Sequence, residues 1–250
     1  MSQVESILFV CYPKCGEQDT MTPWEMLKSL SWVLSQEPDG PQLDVALGAF
    51  EEGLTIHPNM TEADEVTMQM GGVVNTERDL TPDSRADLLY VPGGIGSGEA
   101  TKNPHILDLV RAHNSEGRWV ATNCSGISIL HRAGILRDTP VTSPGTVSAK
   151  LAREGVNLKT PRTMWQCEPD RKIFSAAGGS AVHPSTIALV WYLFGQELAM
   201  TLAMMWDTLG AHGKALFELE GPDYGTYPDR EAKLQSDWED TLLPDPVGVA

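Results

Sequence analysis

Trp119-Val120-Ala121-Thr122-Asn123-Cys124-Ser125-Gly126 is the stretch that decides how this chain is read. Trp119 to Thr122 is apolar or β-branched and suits a buried parallel strand, while Ser125 to Arg132 has helical spacing. Cys124 therefore falls in an abrupt turn from strand to helix. There it meets unpaired backbone N–H groups and the positive end of a helix dipole, both of which favour thiolate. The plainer alternative is a cysteine packed as a small hydrophobe.

Two more strands lead outward from this turn. Asp87 to Val91 (DLLYV) runs into Pro92-Gly93-Gly94-Ile95-Gly96-Ser97-Gly98, and Ser6 to Cys11 (SILFVC) runs into a loop expected over Tyr12 to Met21. In an open parallel sheet the loops at the strands' carboxyl ends meet in one crevice. The N–H groups of Gly93 and Gly94 are then candidates for an oxyanion hole beside Cys124. The first loop offers Asp19 as the acid; Glu17 reads as a solvated loop carboxylate. Thr22-Pro23-Trp24-Glu25 has the form of a capping box, so a helix is expected from there to about Leu34, with Trp24 as a possible crevice wall.

The remaining pattern alternates strands and helices. Strands are expected at Leu43–Gly48, Leu54–His57, Met164–Cys167 and Lys172–Ala176. Helices are expected from Asn103-Pro104 to Glu116, and over Val147–Glu154, Ser185–Phe194 and Gln196–Leu209. This is the α/β class, with helices on both faces of a mostly parallel sheet. One domain is expected over residues 1–210, followed by an acidic C-terminal extension, 211–250, read as an irregular tail packed on it or trailing from it. Met200, Met204, Met205 and Trp206 read as core or subunit-interface packing.

Composition narrows the function. The 250 residues carry 18 Lys and Arg against 34 Asp and Glu, a net charge of −16. That is the wrong sign for gripping nucleic acid or an anionic membrane surface. From Leu216 to Ala250 nine acids face two bases. The N-terminus shows no secretory pattern and no segment reaches membrane-spanning length, so a cytoplasmic location is expected. The cysteines, Cys11, Cys15, Cys124 and Cys167, lack CxxC spacing, and the histidines lack H-x-x-x-H spacing, so no metal is expected. Gly93 to Gly98 spells G-x-G-x-x-G in no register and is not a Walker loop, so no nucleotide cofactor is expected either.

Taken together, several motifs resemble those of the ThiJ/PfpI superfamily. They are Tyr12-Pro13 with Asp19 and Pro23, Tyr90-Val91-Pro92-Gly93-Gly94, Val120 to Gly126, Ala133-Gly134-Ile135-Leu136, and Ala177-Gly178-Gly179 before a helix. The similarity runs from about Ser6 to Leu209, and within the superfamily it is strongest to isonitrile hydratases. The resemblance implies a flavodoxin-like three-layer sandwich with a nucleophile elbow, a homodimer acting on a small molecule without cofactor, Cys124 as nucleophile and Asp19 as acid and base. Ser125 stands where isonitrile hydratases have Thr and where the intracellular peptidase branch has His. Thr142-Ser143-Pro144-Gly145 replaces a histidine-aromatic pair of many relatives.

His183, before Pro184, is a candidate base, against the plainer role of a structural histidine. The expected activity is hydration of an isonitrile to an N-substituted formamide through a Cys124 thioimidate. Ser125 would orient Asp19 or the water, and backbone N–H groups near Gly94 and Ser125 would hold developing charge. The alternatives are another cysteine-dependent enzyme of the superfamily, glyoxalase-like, amidase-like or biosynthetic, and a non-catalytic ligand-binding or redox-sensing module.

Overall fold

The computed structural model describes residues 4–36, 42–51, 65–207, 215–223 and 228–246. In chain order the elements begin with β1 (Ser6–Cys11), α1 (Glu17–Ser35) and β2 (Asp44–Ala49). Three short strands follow, β3 (Glu65–Thr67), β4 (Val73–Asn75) and β5 (Arg78–Asp79), and then β6 (Leu88–Val91). Next come α2 (Ser97–Ala100), α3 (Pro104–Ser115), β7 (Trp119–Asn123), α4 (Ile127–Arg132) and α5 (Gly145–Arg153). The series ends with β8 (Trp165–Glu168), β9 (Ile173–Ala176), α6 (Val182–Phe194), α7 (Gln196–Met205) and α8 (Pro228–Leu242).

Seven strands form one sheet in the order β5-β2-β1-β6-β7-β9-β8, parallel throughout except for β8, which runs antiparallel to β9. β6 and β7 are buried at every residue, as strands covered on both faces must be. Helices α1, α6 and α7 pack on one another, as do α2, α3, α4, α5 and α8, so the sheet is the middle of three layers. This is the expected flavodoxin-like α/β sandwich. Strands β1, β6, β7 and β9 run the same way, so their carboxyl ends share one rim.

Two expectations are corrected. α1 begins at Glu17, with Gly16 as N-cap, so Asp19 sits in its first turn and the Thr22-Pro23-Trp24-Glu25 box lies inside the helix. Glu17 and Asp19 suit the positive end of that helix. Proline at position 23 removes the bond that would run to the Asp19 carbonyl. The helix passes through because that carbonyl accepts a hydrogen bond from another segment, the Asn123 side-chain amide, at 2.8 Å.

The tail is the second correction. Pro228 is the first residue of α8, where its missing N–H leaves nothing unpaired. α8 lies along α5, with Gln235 Nε2 donating to Gly145 O (2.8 Å) and Lys150 Nζ meeting Asp240 (2.5 Å). Lys150 also reaches Asp245 just beyond the helix (3.0 Å). Upstream, 219–223 runs along β8, where Cys167 N–H donates to Leu219 O (2.8 Å) and Gly221 N–H to Trp165 O (2.9 Å). On α7 the buried face is Ala199, Leu202 and Ala203, while Met204 and Met205 face solvent. The strand expected at Leu54–His57 lies outside the described residues.

Candidate active site

The centre is set by the β7 turn. Asn123 is still extended, Cys124 has φ +49°, and a 3-10 turn, Cys124 to Gly126, leads into α4. A left-handed conformation costs a non-glycine residue about 1–2 kcal/mol, so the surroundings must hold it. They do so by closeness. A methyl on Gly93 would lie 2.5 Å from Cys124 Cβ, 2.8 Å from Ser125 N and 2.9 Å from an Asp19 carboxyl oxygen. One on Gly178 would collide with Cys124 Cβ and its backbone. Only hydrogen at these positions lets the β6, β9 and β7 ends converge on the cysteine.

Asp19 and Cys124 are joined across this point. Cys124 and the Asp19 carboxyl group both crowd Gly93, so the carboxyl faces the thiol, and hydrogen bonding to the thiol or to the Gly179 N–H lowers the proton affinity of Asp19. Burial raises the proton affinity of both groups. Asp19 lies above the usual carboxylate range despite those two bonds. Cys124 is held well above the ordinary thiol range by burial and by the Asp19 charge, against the opposing pull of the Ser125 N–H. Two negative charges side by side in a partly desolvated site are disfavoured. The resting pair therefore keeps its proton on sulfur, with the carboxylate as acceptor. The resting thiolate expected from the elbow alone is not what this environment favours. Of the four free cysteines, Cys124 is the one that is not buried.

The structure brings Gly93, Gly94 and Ser125 to the same point, in roles other than those expected. Gly94 N–H donates to Ser125 Oγ (3.0 Å), and the same hydroxyl donates to Gly94 O (2.9 Å). Ser125 therefore staples the turn to the β6 loop, and its proton is not spent on Asp19. Gly93 N–H donates to Asn123 Oδ1 (3.0 Å). Of the N–H groups expected to hold developing charge, those of Gly93 and Gly94 are thus engaged with side chains, while that of Ser125 is not. The remaining N–H groups directed at the pair are those of Ser125, toward the sulfur, and Gly179, toward Asp19.

His183 and Trp24 make contacts of their own. The His183 ring, near the start of α6, packs against Trp206 with centroids 5.9 Å apart. Trp24 is partly buried against the core, with Lys28 Nζ 5.6 Å from its ring centre. Glu17 accepts from Met70 N–H (2.7 Å) and Gly72 N–H (3.2 Å), tying α1 to the β3-β4 turn. Among the described residues no group of three or more His, Cys, Asp or Glu side chains could hold a metal ion, and no helix is long and apolar enough to cross a membrane.

Three residues of the site were not singled out as such from the sequence. Asn123 is wholly buried and bonds to both neighbouring loops. Tyr12 donates its hydroxyl to Pro92 O at 2.6 Å, fixing the β1 end against the Gly93 loop. Gly179 supplies an N–H to Asp19. The one sequence signal for the first was Pro23, which leaves a carbonyl four residues earlier in need of a donor.

Residues 5–183 match the model of the DJ-1/PfpI family. Among curated proteins, the chain is 23% identical over 197 residues to Protein DJ-1 homolog D of Arabidopsis thaliana, a match covering 77% of this chain and 48% of that one. It is 24% identical over 196 residues to isonitrile hydratase of Pseudomonas putida, covering 78% of this chain and 75% of the relative. The chain thus spans about half the length of the plant relative. Among solved structures, oxidized Toxoplasma gondii DJ-1 superposes with a TM-score of 0.61 at 14% identity, over 80% of this chain and 97% of that one.

Proposed function

The chain belongs to the DJ-1/PfpI family, and from that premise we propose that it is a cysteine-dependent enzyme that hydrates a small electrophilic carbon, an isonitrile, to an N-substituted formamide. The observation that carries the reading is the convergence of Cys124 and the Asp19 carboxyl group on Gly93 at the β7 turn, where burial raises the proton affinity of both. As the sulfur attacks the terminal carbon of R–NC, its proton passes to Asp19, and Asp19 delivers it to the same carbon to give R–N=CH–S–Cys124. Water, deprotonated by Asp19, adds to that carbon, and Asp19 passes this proton to the nitrogen, giving R–NH–CH(OH)–S–Cys124. Breaking of the C–S bond then gives R–NH–CHO as the remaining hydroxyl proton returns through Asp19 to the Cys124 sulfur.

This chemistry asks for a proton carrier rather than an anion-holding pocket, because the charge that develops on carbon is quenched by protonation. The engagement of the Gly93 and Gly94 N–H groups with Asn123 and Ser125 supports it over amide hydrolysis, which needs such donors free for a tetrahedral oxyanion. The raised proton affinity of Cys124 counts against a sensor oxidised as resting thiolate.

The test is incubation of the purified protein with aryl and alkyl isonitriles and detection of the formamide. Turnover is expected, lost in Cys124→Ala and reduced at least about a hundredfold in Asp19→Asn, the scale of losing a general acid-base group. No formamide from any isonitrile with folded protein removes the substrate. Full activity of Cys124→Ala removes the mechanism.

A further inference from the structure

Asn123 lies next to the nucleophile, wholly buried, and its side chain points away from the sulfur's chemistry into the joint between two other segments. Its Nδ2 donates to the backbone carbonyl of Asp19 (2.8 Å), and its Oδ1 accepts from Gly93 N–H (3.0 Å). Only one orientation of the amide satisfies both, since a carbonyl cannot donate and an N–H cannot accept. The Asp19 carbonyl is available for this bond because Pro23, four residues on in α1, has no N–H to offer it. Proline inside a helix is normally destabilising. Here it frees one acceptor at the residue whose carboxylate faces Cys124.

We propose that Asn123 is a positioning residue, paired with Pro23, that holds the backbone of Asp19 where its carboxyl group faces the Cys124 sulfur beside Gly93. This deepens the reading of Asp19 as proton carrier and rests on it. The other ionisable groups near Asp19, Tyr12 and Tyr90, are kept protonated by burial and do not take over that role. Cys15, whose thiol is drawn down by the Cys11 hydrogen bond, lies close to Tyr12 and is itself buried.

The experiment follows the alkylation rate of Cys124 by iodoacetamide against pH, read on the Cys124 peptide so that Cys15 does not contribute, together with formamide kinetics. In Asn123→Ala the carboxylate is released from the sulfur. Alkylation at neutral pH is expected to rise about tenfold, with the inflection shifted toward that of Asp19→Asn, because the thiol loses the charge that raises it. Formamide kcat is expected to fall about ten- to a hundredfold with KM little changed, the cost of misplacing a reacting group by about 1 Å. A merely structural residue would lower the melting temperature and leave the alkylation profile in place.

Pro23→Ala approaches the same contact from the other side and serves if Asn123→Ala does not fold. It gives α1 an N–H that competes for the Asp19 carbonyl. The melting temperature is expected to rise while the Cys124 profile moves in the same direction as in Asn123→Ala. A folded Asn123→Ala with parental profile and kinetics, or a Pro23→Ala with an unmoved profile, overturns the proposal. If the parent makes no formamide, the alkylation arm still decides the positioning role, so its failure and that of the isonitrile reading are told apart.

Discussion

Replacing Gly93 by Ala is the sharpest probe of the site, because it adds one methyl and leaves every polar group in place. That methyl would start 2.5 Å from Cys124 Cβ, 2.8 Å from Ser125 N and 2.9 Å from an Asp19 carboxyl oxygen. Non-bonded carbons rest about 3.5–4 Å apart, so something must open by about 1 Å. Two of the three atoms are Cβ or backbone and cannot swing aside; the carboxylate can. The methyl is thus expected to push Asp19 off the sulfur.

Overpacking of this kind costs about 1–3 kcal/mol. For a chain of this size that lowers the melting temperature by about 2 to 12 °C. A displacement of about 1 Å at the reacting pair costs about a hundredfold in turnover. Thermal unfolding and formamide formation measure the two effects. Gly72→Ala is the control, since its methyl would meet only the flexible Glu17 side chain, at 3.3 Å. A Gly93→Ala protein that melts within about 1 °C of the parent, with turnover within about twofold, would refute the argument that close approach of glycine backbone sets the Cys124–Asp19 contact.

Three further outcomes are expected. Alkylation of the native protein followed by peptide mapping labels Cys124 alone, because Cys11, Cys15 and Cys167 are buried and Cys124 is not; labelling of Cys167 at a comparable rate would contradict this. Asp19 holds its proton more tightly folded than unfolded, so the parent loses stability as pH rises from the ordinary carboxyl range through the raised value. The melting temperature of Asp19→Asn relative to the parent should therefore climb through that window, and a flat or falling difference sinks the assignment. Glu17→Ala frees the Met70 and Gly72 amides and should speed their hydrogen exchange, with formamide turnover changed less than about threefold; a catalytic loss as large as that of Asp19→Asn would put Glu17 back in the chemistry.

The α/β class, the strands β1, β6 and β7, the elbow at Cys124 and the acid Asp19 were legible in the sequence, because each rests on a local rule. Continuous apolar runs bounded by glycine-rich turns read as buried parallel strands, and a cysteine between strand and helix stands at a carboxyl end wherever the rest of the chain goes. The start of α1 was misplaced because Thr22-Pro23-Trp24-Glu25 satisfies the local capping rule equally well, and the donor that lets the helix run through Pro23 comes from residue 123. The helix α8 was hidden by prolines read as breakers, though Pro228 stands where a helix tolerates one.

What only the tertiary structure decided is which polar atoms are already taken and how deeply each side chain of the site is buried. The Gly93 and Gly94 N–H groups are taken by Asn123 and Ser125, the His183 ring packs on Trp206, and the Asp19 carboxyl group is brought beside Cys124. Hydrogen-bond partners and burial depend on segments about a hundred residues apart being folded onto one rim. No window of sequence carries that information, because both are properties of the space between chains of atoms rather than of the order in which they are linked.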